Sequence, residues 1–158
     1  MTQRSATFRL PSSDATTELA RHIARILVPG DVVLLQGPIG AGKTHFARSL
    51  IQSLMEVPED VPSPTFTLVQ VYNVATGELW HADLYRLSHV DEVEELGLLA
   101  AFEDAICLIE WPEKLEDLRP ASALTMELSL DQDHDDARRA ELMWTDASWD
   151  ARLEGIAP

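Results

Sequence analysis

Eight consecutive residues carry the most explicit chemistry in the chain: Gly37-Pro38-Ile39-Gly40-Ala41-Gly42-Lys43-Thr44. They match G-x-x-x-x-G-K-[ST] at every fixed position. The glycines let the backbone curl close to a phosphate and turn N–H groups inward. Lys43 would bring a positive charge to the β- and γ-phosphates, and Thr44 a hydroxyl to Mg²⁺. A helix opening at Lys43 would aim its positive end at the same phosphates. A plain tight turn is the competing reading. The context decides against it, because an apolar strand precedes the glycines and a helical pattern follows them. The implied ligand is a nucleoside triphosphate with Mg²⁺.

Such a site needs a second acid on the metal or its water. Glu110 ends the apolar run 106–109, and ligands of open α/β sheets bind at the carboxyl edge of such strands. An ordinary exposed strand-end glutamate is the alternative. Asp83, in His81-Ala82-Asp83-Leu84-Tyr85-Arg86, closes another strand and is placed to orient or deprotonate an attacking water. Pairing with Arg86 or capping of a turn would equally explain it. His81 shares a strand face with Asp83 by period two, so it either bonds within the site or serves as a half-buried structural histidine. Ser63-Pro64-Thr65-Phe66 reads as a loop able to close on a γ-phosphate through a hydroxyl, or as a proline-stiffened loop with a Phe anchor. Trp111 covers the site or packs beside it. Trp80, Trp144 and Trp149 read as core or groove residues, since no basic residues interleave with them. No His/Cys spacing supports zinc.

The elements that must hold these residues follow from periodicity and breakers. A helix capped by Asp14 carries Leu19, Ile23, Ile26 and Leu27 on one stripe and stops at Pro29-Gly30. Residues 32–35 form a buried strand of parallel-sheet type, and 43–55 a helix with Phe46, Leu50, Ile51 and Leu54 inward. A loop with three prolines spans 58–64. Strands at 66–74 and 78–84 make a hairpin around Ala75-Thr76-Gly77. An acidic helix spans 91–99 and ends near Gly97, a second buried strand spans 105–109, and a short helix opens at Pro112. Residues 124–130 and 139–145 form a terminal hairpin, and 147–158 a weak helix or tail. The expected architecture is α/β: one P-loop NTPase domain over 1–158, a mainly parallel central sheet flanked by helices, and antiparallel hairpin additions. The segment after about 146 is expected to be weakly ordered.

Composition narrows the partners. The 158 residues are 46% hydrophobic and 25% charged, which is globular, and the formal net charge is −15. Residues 1–60 are neutral, 61–109 carry −7 and 110–158 carry −8. No stretch supplies the basic face that phosphate-backbone binding requires, Arg138-Arg139 standing beside Asp135 and Asp136. Strong direct binding of RNA or DNA is disfavoured. The acid either solubilises the surface or docks a basic protein, with 91–97 as a candidate face. No apolar run nears a membrane span, the start lacks a signal-peptide core, and Cys107 stands alone. These features fit a cytoplasmic protein.

The ordered motifs G-P-I-G-A-G-K-T, S-P-T-F, H-A-D-L-Y-R-L and I-E-W-P-E-K together resemble the TsaE (YjeE) family, from the first helix to about Leu118. The resemblance implies a small bacterial ATPase of tRNA threonylcarbamoyladenosine biosynthesis that works with TsaB and TsaD. In that scheme TsaD transfers the threonylcarbamoyl group, the ATPase supports repeated turnover, and tRNA is met only through TsaD. Carried onto this sequence, Gly37, Gly40, Ala41, Gly42, Lys43, Thr44 and His45 hold ATP, with Thr44 and Glu110 on Mg²⁺. Asp83 matches the catalytic acid, Thr65 the switch-like loop, Trp111 a tryptophan beside the nucleotide, and Ser13 an adenine-side contact. No Asn-Lys-x-Asp element for guanine occurs. Two other classes compete: a small-molecule kinase, which needs a basic lid for which Arg138-Arg139 is the thin candidate, and a binding module that never hydrolyses its nucleotide.

Overall fold

The computed structural model describes residues 2–57, 59–64 and 68–156. In chain order it has β1 (Arg4–Leu10), α1 (Ser13–Ile26), β2 (Val32–Gln36), α2 (Lys43–Leu54), β3 (Val69–Val74), β4 (Gly77–Asp83), α3 (Glu92–Glu95), α4 (Leu98–Asp104), β5 (Ile106–Glu110), a 3₁₀ helix (Pro112–Leu118), β6 (Leu124–Leu130), β7 (Arg138–Trp144) and α5 (Ser148–Glu154).

One seven-stranded sheet runs β1-β7-β6-β2-β5-β4-β3. The centre is parallel, with β2 between β6 and β5, and β5 beside β4. Both outer portions are antiparallel: β3 on β4, and β6–β7–β1. This is the α/β class with hairpin additions that the strand patterns imply. The hydrophobic runs of β2 and β5 are central because helices cover both faces. Val33, Leu35, Ile106 and Leu108 pack with Leu19, Ile23, Phe46 and Leu50 of α1 and α2. Val32, Leu34, Cys107 and Ile109 pack on the other side with Val93, Leu98 and Leu115. Burial pushes the Cys107 thiol up to about 12, which makes it a small apolar filler.

Two local expectations are corrected, one unassigned segment proves to be a strand, and the weak helix or tail after 146 proves to be a helix. Ser12, not Asp14, caps α1: its hydroxyl accepts from the Ala15 N–H at 3.3 Å, and Asp14 lies in the first turn. Both residue types cap well, so the sequence does not distinguish neighbours. The acidic 91–99 helix is one turn, α3, after which Gly97 adopts φ 86° and α4 starts. A glycine in that conformation restarts the chain in a new direction, where helical periodicity alone would run on. The segment 4–10 is an edge strand, with Ala6, Phe8 and Leu10 on its more buried side. Finally, the segment after 146 holds α5, with Trp149 1% exposed and its indole N–H donating to the Ser122 carbonyl at 2.7 Å.

Candidate functional site

The loop 37–44 leaves the carboxyl end of β2 and enters α2 without a break. Gly37, Gly40 and Gly42 have φ of 140°, 84° and 102°, angles that disfavour any residue with a Cβ. Gly37 has a second constraint, since a Cβ there would lie 2.2 Å from the Leu128 carbonyl oxygen on β6. The chain therefore passes directly over the sheet edge before turning into α2. Lys43 folds back over the loop, donating to the Gly37 carbonyl at 2.5 Å, with its ammonium 3.5 Å from the centre of the Trp111 ring. Burial pulls the Lys43 ammonium below its usual range, while Glu110, Glu113 and Asp83 oppose that shift.

Strand alternation brings the acids to the same place. Leu79, His81 and Asp83 share one face of β4, and Ile106, Leu108 and Glu110 one face of β5. Leu79, Ile106 and Leu108 pack in the α1–α2 core, so the three polar residues end up under the start of α2. There Thr44 Oγ1 donates to Glu110 Oε1 at 2.8 Å, and His81 Nε2 lies 2.7 Å from Glu110 Oε2. Glu110 is 2% exposed, His81 0% and Asp83 6%. Asp83 pairs in register with Glu110, and its Oδ1 accepts from the Tyr85 N–H at 3.0 Å. Thr44 and Glu110 are hard oxygen donors at one point. That donor set suits Mg²⁺, which takes one or two protein oxygens and keeps waters. Among the described residues there is no cluster of three His, Cys, Asp or Glu of the kind that would make a zinc site.

The family model of TsaE, described as threonylcarbamoyl adenosine biosynthesis protein, matches residues 10–140. The chain belongs to the TsaE family. Among similar TsaE proteins, that of Rickettsia conorii is 41% identical over 69% of this chain. That match covers 62% of the Rickettsia protein, so this chain spans less than two thirds of it. The TsaE of Haemophilus influenzae is 36% identical over 88% of this chain and 89% of its own length. The crystal structure of YdiB from Bacillus subtilis superposes with a TM-score of 0.80 at 26% identity, over 99% of this chain and 96% of that one. The chain is thus a member of a family of tRNA threonylcarbamoyladenosine biosynthesis proteins, with the matching α/β fold.

Within this TsaE-family fold, most of the residues singled out from sequence converge. Gly40, Gly42, Lys43, Thr44, His45, Asp83, Glu110 and Trp111 line one cleft of about 440 Å³. Gly37 and Ala41 do not: Gly37 lines neither this cleft nor a second cavity of about 440 Å³, and the buried Ala41 lines that second cavity. Ser13 lines that second cavity with Thr16, Asp136 and Arg138. His45 joins the two, its Nε2 standing 3.2 Å from the Ser13 carbonyl and 3.1 Å from Thr17 Oγ1. Thr65 falls outside the described residues. Tyr85, Arg86 and Ile39 also line the cleft. The Tyr85 ring sits 4.9 Å from Trp111. Arg138 Nη2 donates to the Gly40 carbonyl at 3.4 Å. The exposure of Ile39 at the loop tip follows from the motif itself, but the reach of Arg138 does not, being a contact between residues 98 positions apart.

Proposed function

We propose that this chain is a P-loop ATPase that supports threonylcarbamoyladenosine modification of tRNA in the cytoplasm, acting with TsaB and TsaD as a single domain. The observation that carries the reading is the 2.8 Å bond between Thr44 and Glu110, at the mouth of a glycine loop and beside Asp83. Family membership supports the pathway, and the absence of a guanine-reading Asn-Lys-x-Asp element favours ATP over GTP.

In this reading the loop amides and the start of α2 cradle the phosphates. Lys43, held at Gly37 and over Trp111 in the structure, turns to the β- and γ-oxygens. Thr44 and Glu110 would hold Mg²⁺, which when bound would supply neutralisation of the phosphate charge. Asp83 accepts the proton of the attacking water as its oxygen bonds to the γ-phosphorus and the bond to ADP breaks. The Tyr85 N–H fixes one oxygen of that carboxylate. Thr65 contributes a hydroxyl, and Ser13 and His45 bound the base side. The net charge of −15 gives the chain no footing on tRNA phosphates, so it meets tRNA through TsaD.

Steady-state ATP hydrolysis by the purified chain, alone and with TsaB–TsaD, tests this. Slow hydrolysis that rises sharply with the complex is the expected result. Equal rates would remove the partner claim, and the absence of ATP binding would remove the site.

A further inference from the structure

We infer that His81 is a positioning residue for the metal-holding carboxylate: it fixes Glu110 so that one oxygen is committed to imidazole and the other is presented at Thr44. The inference rests on the ATP and Mg²⁺ reading above and deepens it. A glutamate carboxylate only accepts, so the 2.7 Å contact assigns the proton to His81 Nε2. The other ring nitrogen, Nδ1, is buried with no partner. Glu110 Oε2 is therefore the single polar contact of the imidazole among the described residues.

That arrangement is poorly explained by packing. His81 pairs in register with Leu108 and follows Leu79 on the same strand face, both inside the main core. A leucine or phenylalanine there would fill the space without burying an unpaired nitrogen. A buried polar pair of this kind is often replaceable by apolar groups without loss of stability. What an apolar residue cannot do is hold the carboxylate rotamer. Without His81, one oxygen of Glu110 loses its partner, and the side chain can swing away from Thr44. Groups that bond a ligating carboxylate from behind act on metal affinity through orientation.

The test compares His81→Gln, whose amide nitrogen reaches about as far as Nε2, with His81→Asn, whose shorter amide cannot. ATP binding to the full chain is followed by calorimetry in EDTA and at rising Mg²⁺. With His81→Asn the Mg²⁺ midpoint is expected to rise about tenfold to a hundredfold, while affinity for metal-free ATP stays at the parent value. His81→Gln keeps the parent midpoint. Should His81→Asn fail to fold, His81→Met supplies a chain of similar reach without a donor, and the same comparison holds. Identical midpoints in all variants, equal shifts in Gln and Asn, or a parallel fall of metal-free affinity would each overturn the positioning role. A parent protein whose ATP affinity ignores Mg²⁺ would overturn the site reading beneath it and this role with it.

Discussion

Asp83 and Glu110 stand opposite one another in the parallel pairing of β4 with β5, both at the carboxyl ends of their strands. Two carboxylates this close repel unless each has its own partners. Here they do: Glu110 meets Thr44 and His81, and Asp83 meets the Tyr85 N–H. Lys43 lies within the field of both. The partners separate the acids by direction, Glu110 toward the start of α2 and Asp83 toward the turn after β4. In the proposed ATPase, that separation would let Glu110 serve the metal and Asp83 the attacking water.

The two acids should therefore fail differently. Asp83→Asn is expected to lower the rate of ATP hydrolysis by about 10²–10⁴-fold, the range for loss of a general base, and to leave ATP affinity near the parent value. Glu110→Ala should also lose hydrolysis, but its ATP affinity should no longer respond to Mg²⁺. Single-turnover rates and equilibrium binding, with and without Mg²⁺, check both. Parent-like hydrolysis in both variants would sink the assignment.

Burial opposes the charge of Lys43 in the nucleotide-free fold. Its charge is desolvated, and its folded-state pKa lies below 10.5. Lys43→Met should thus bind ATP roughly tenfold to a hundredfold more weakly, as befits a lost charged hydrogen bond, yet melt at a higher temperature than the parent without nucleotide. The unfolded chain holds this proton to higher pH than the folded one. Parent stability relative to the variant must then rise with pH, from the folded pKa up to about 10.5. Thermal melts at stepped pH should show the gap closing as pH increases. A gap that widens would contradict the burial argument.

How legible this was in the sequence depends on the distance over which each feature is decided. The motif 37–44, the strands ending at Asp83 and Glu110, and the helix at Lys43 are written locally, in glycine spacing and period-two or helical patterns. Their convergence follows from phase, since His81, Asp83 and Glu110 continue at period two the strand faces of the core residues Leu79, Ile106 and Leu108. Long-range contacts were not legible. The pairing of β1 with β7 joins the two ends of the chain, and 4–10 alone is too polar to announce a strand. Arg138 reaches Gly40 and Arg152 reaches Asp31 only after the sheet is assembled. The break at Gly97 was visible as a glycine, but nothing local says that Trp80 would pack 3.3 Å from where its Cβ would be.

Gly37 is a fixed position of the motif and Gly40 is not, yet both adopt positive φ, and alanine should distinguish them. At Gly37 the added Cβ meets the backbone of Leu128 at 2.2 Å, with no flexible side chain to give way. At Gly40 nothing lies within 4 Å, and only the positive φ opposes the change. Gly40→Ala should cost about 1–2 kcal/mol, the strain of a left-handed alanine. Gly37→Ala should cost about 3 kcal/mol or more, because overpacking adds to that strain. Urea unfolding of the two variants ranks them, and equal losses would mean that β6 moves aside freely.

The last turn of the fold depends on an ion pair that closes α5 onto the start of β2. Arg152 Nη1 lies 2.6 Å from Asp31 Oδ2 and donates to the Ile26 carbonyl at 3.0 Å, while its guanidinium rests 3.9 Å from the Trp149 ring. Asp31 in turn accepts from the Val28 N–H at 2.8 Å. The pair is three-quarters or more covered on both sides, at 24% and 12% exposure, so salt should screen it weakly. Arg152→Ala is expected to destabilise the chain by about 2 kcal/mol, between the values for exposed and fully buried pairs. Raising NaCl from 0.05 to roughly 0.5 M should change that loss little, since the attraction acts over a distance shorter than the screening length. Removing Asp31 as well should cost less than the sum of the single losses, since Arg152→Ala already breaks the pair. A double-mutant cycle by urea unfolding gives the coupling directly. Additive losses would show that Arg152 and Asp31 are not coupled, and that the other contacts of α5 hold it.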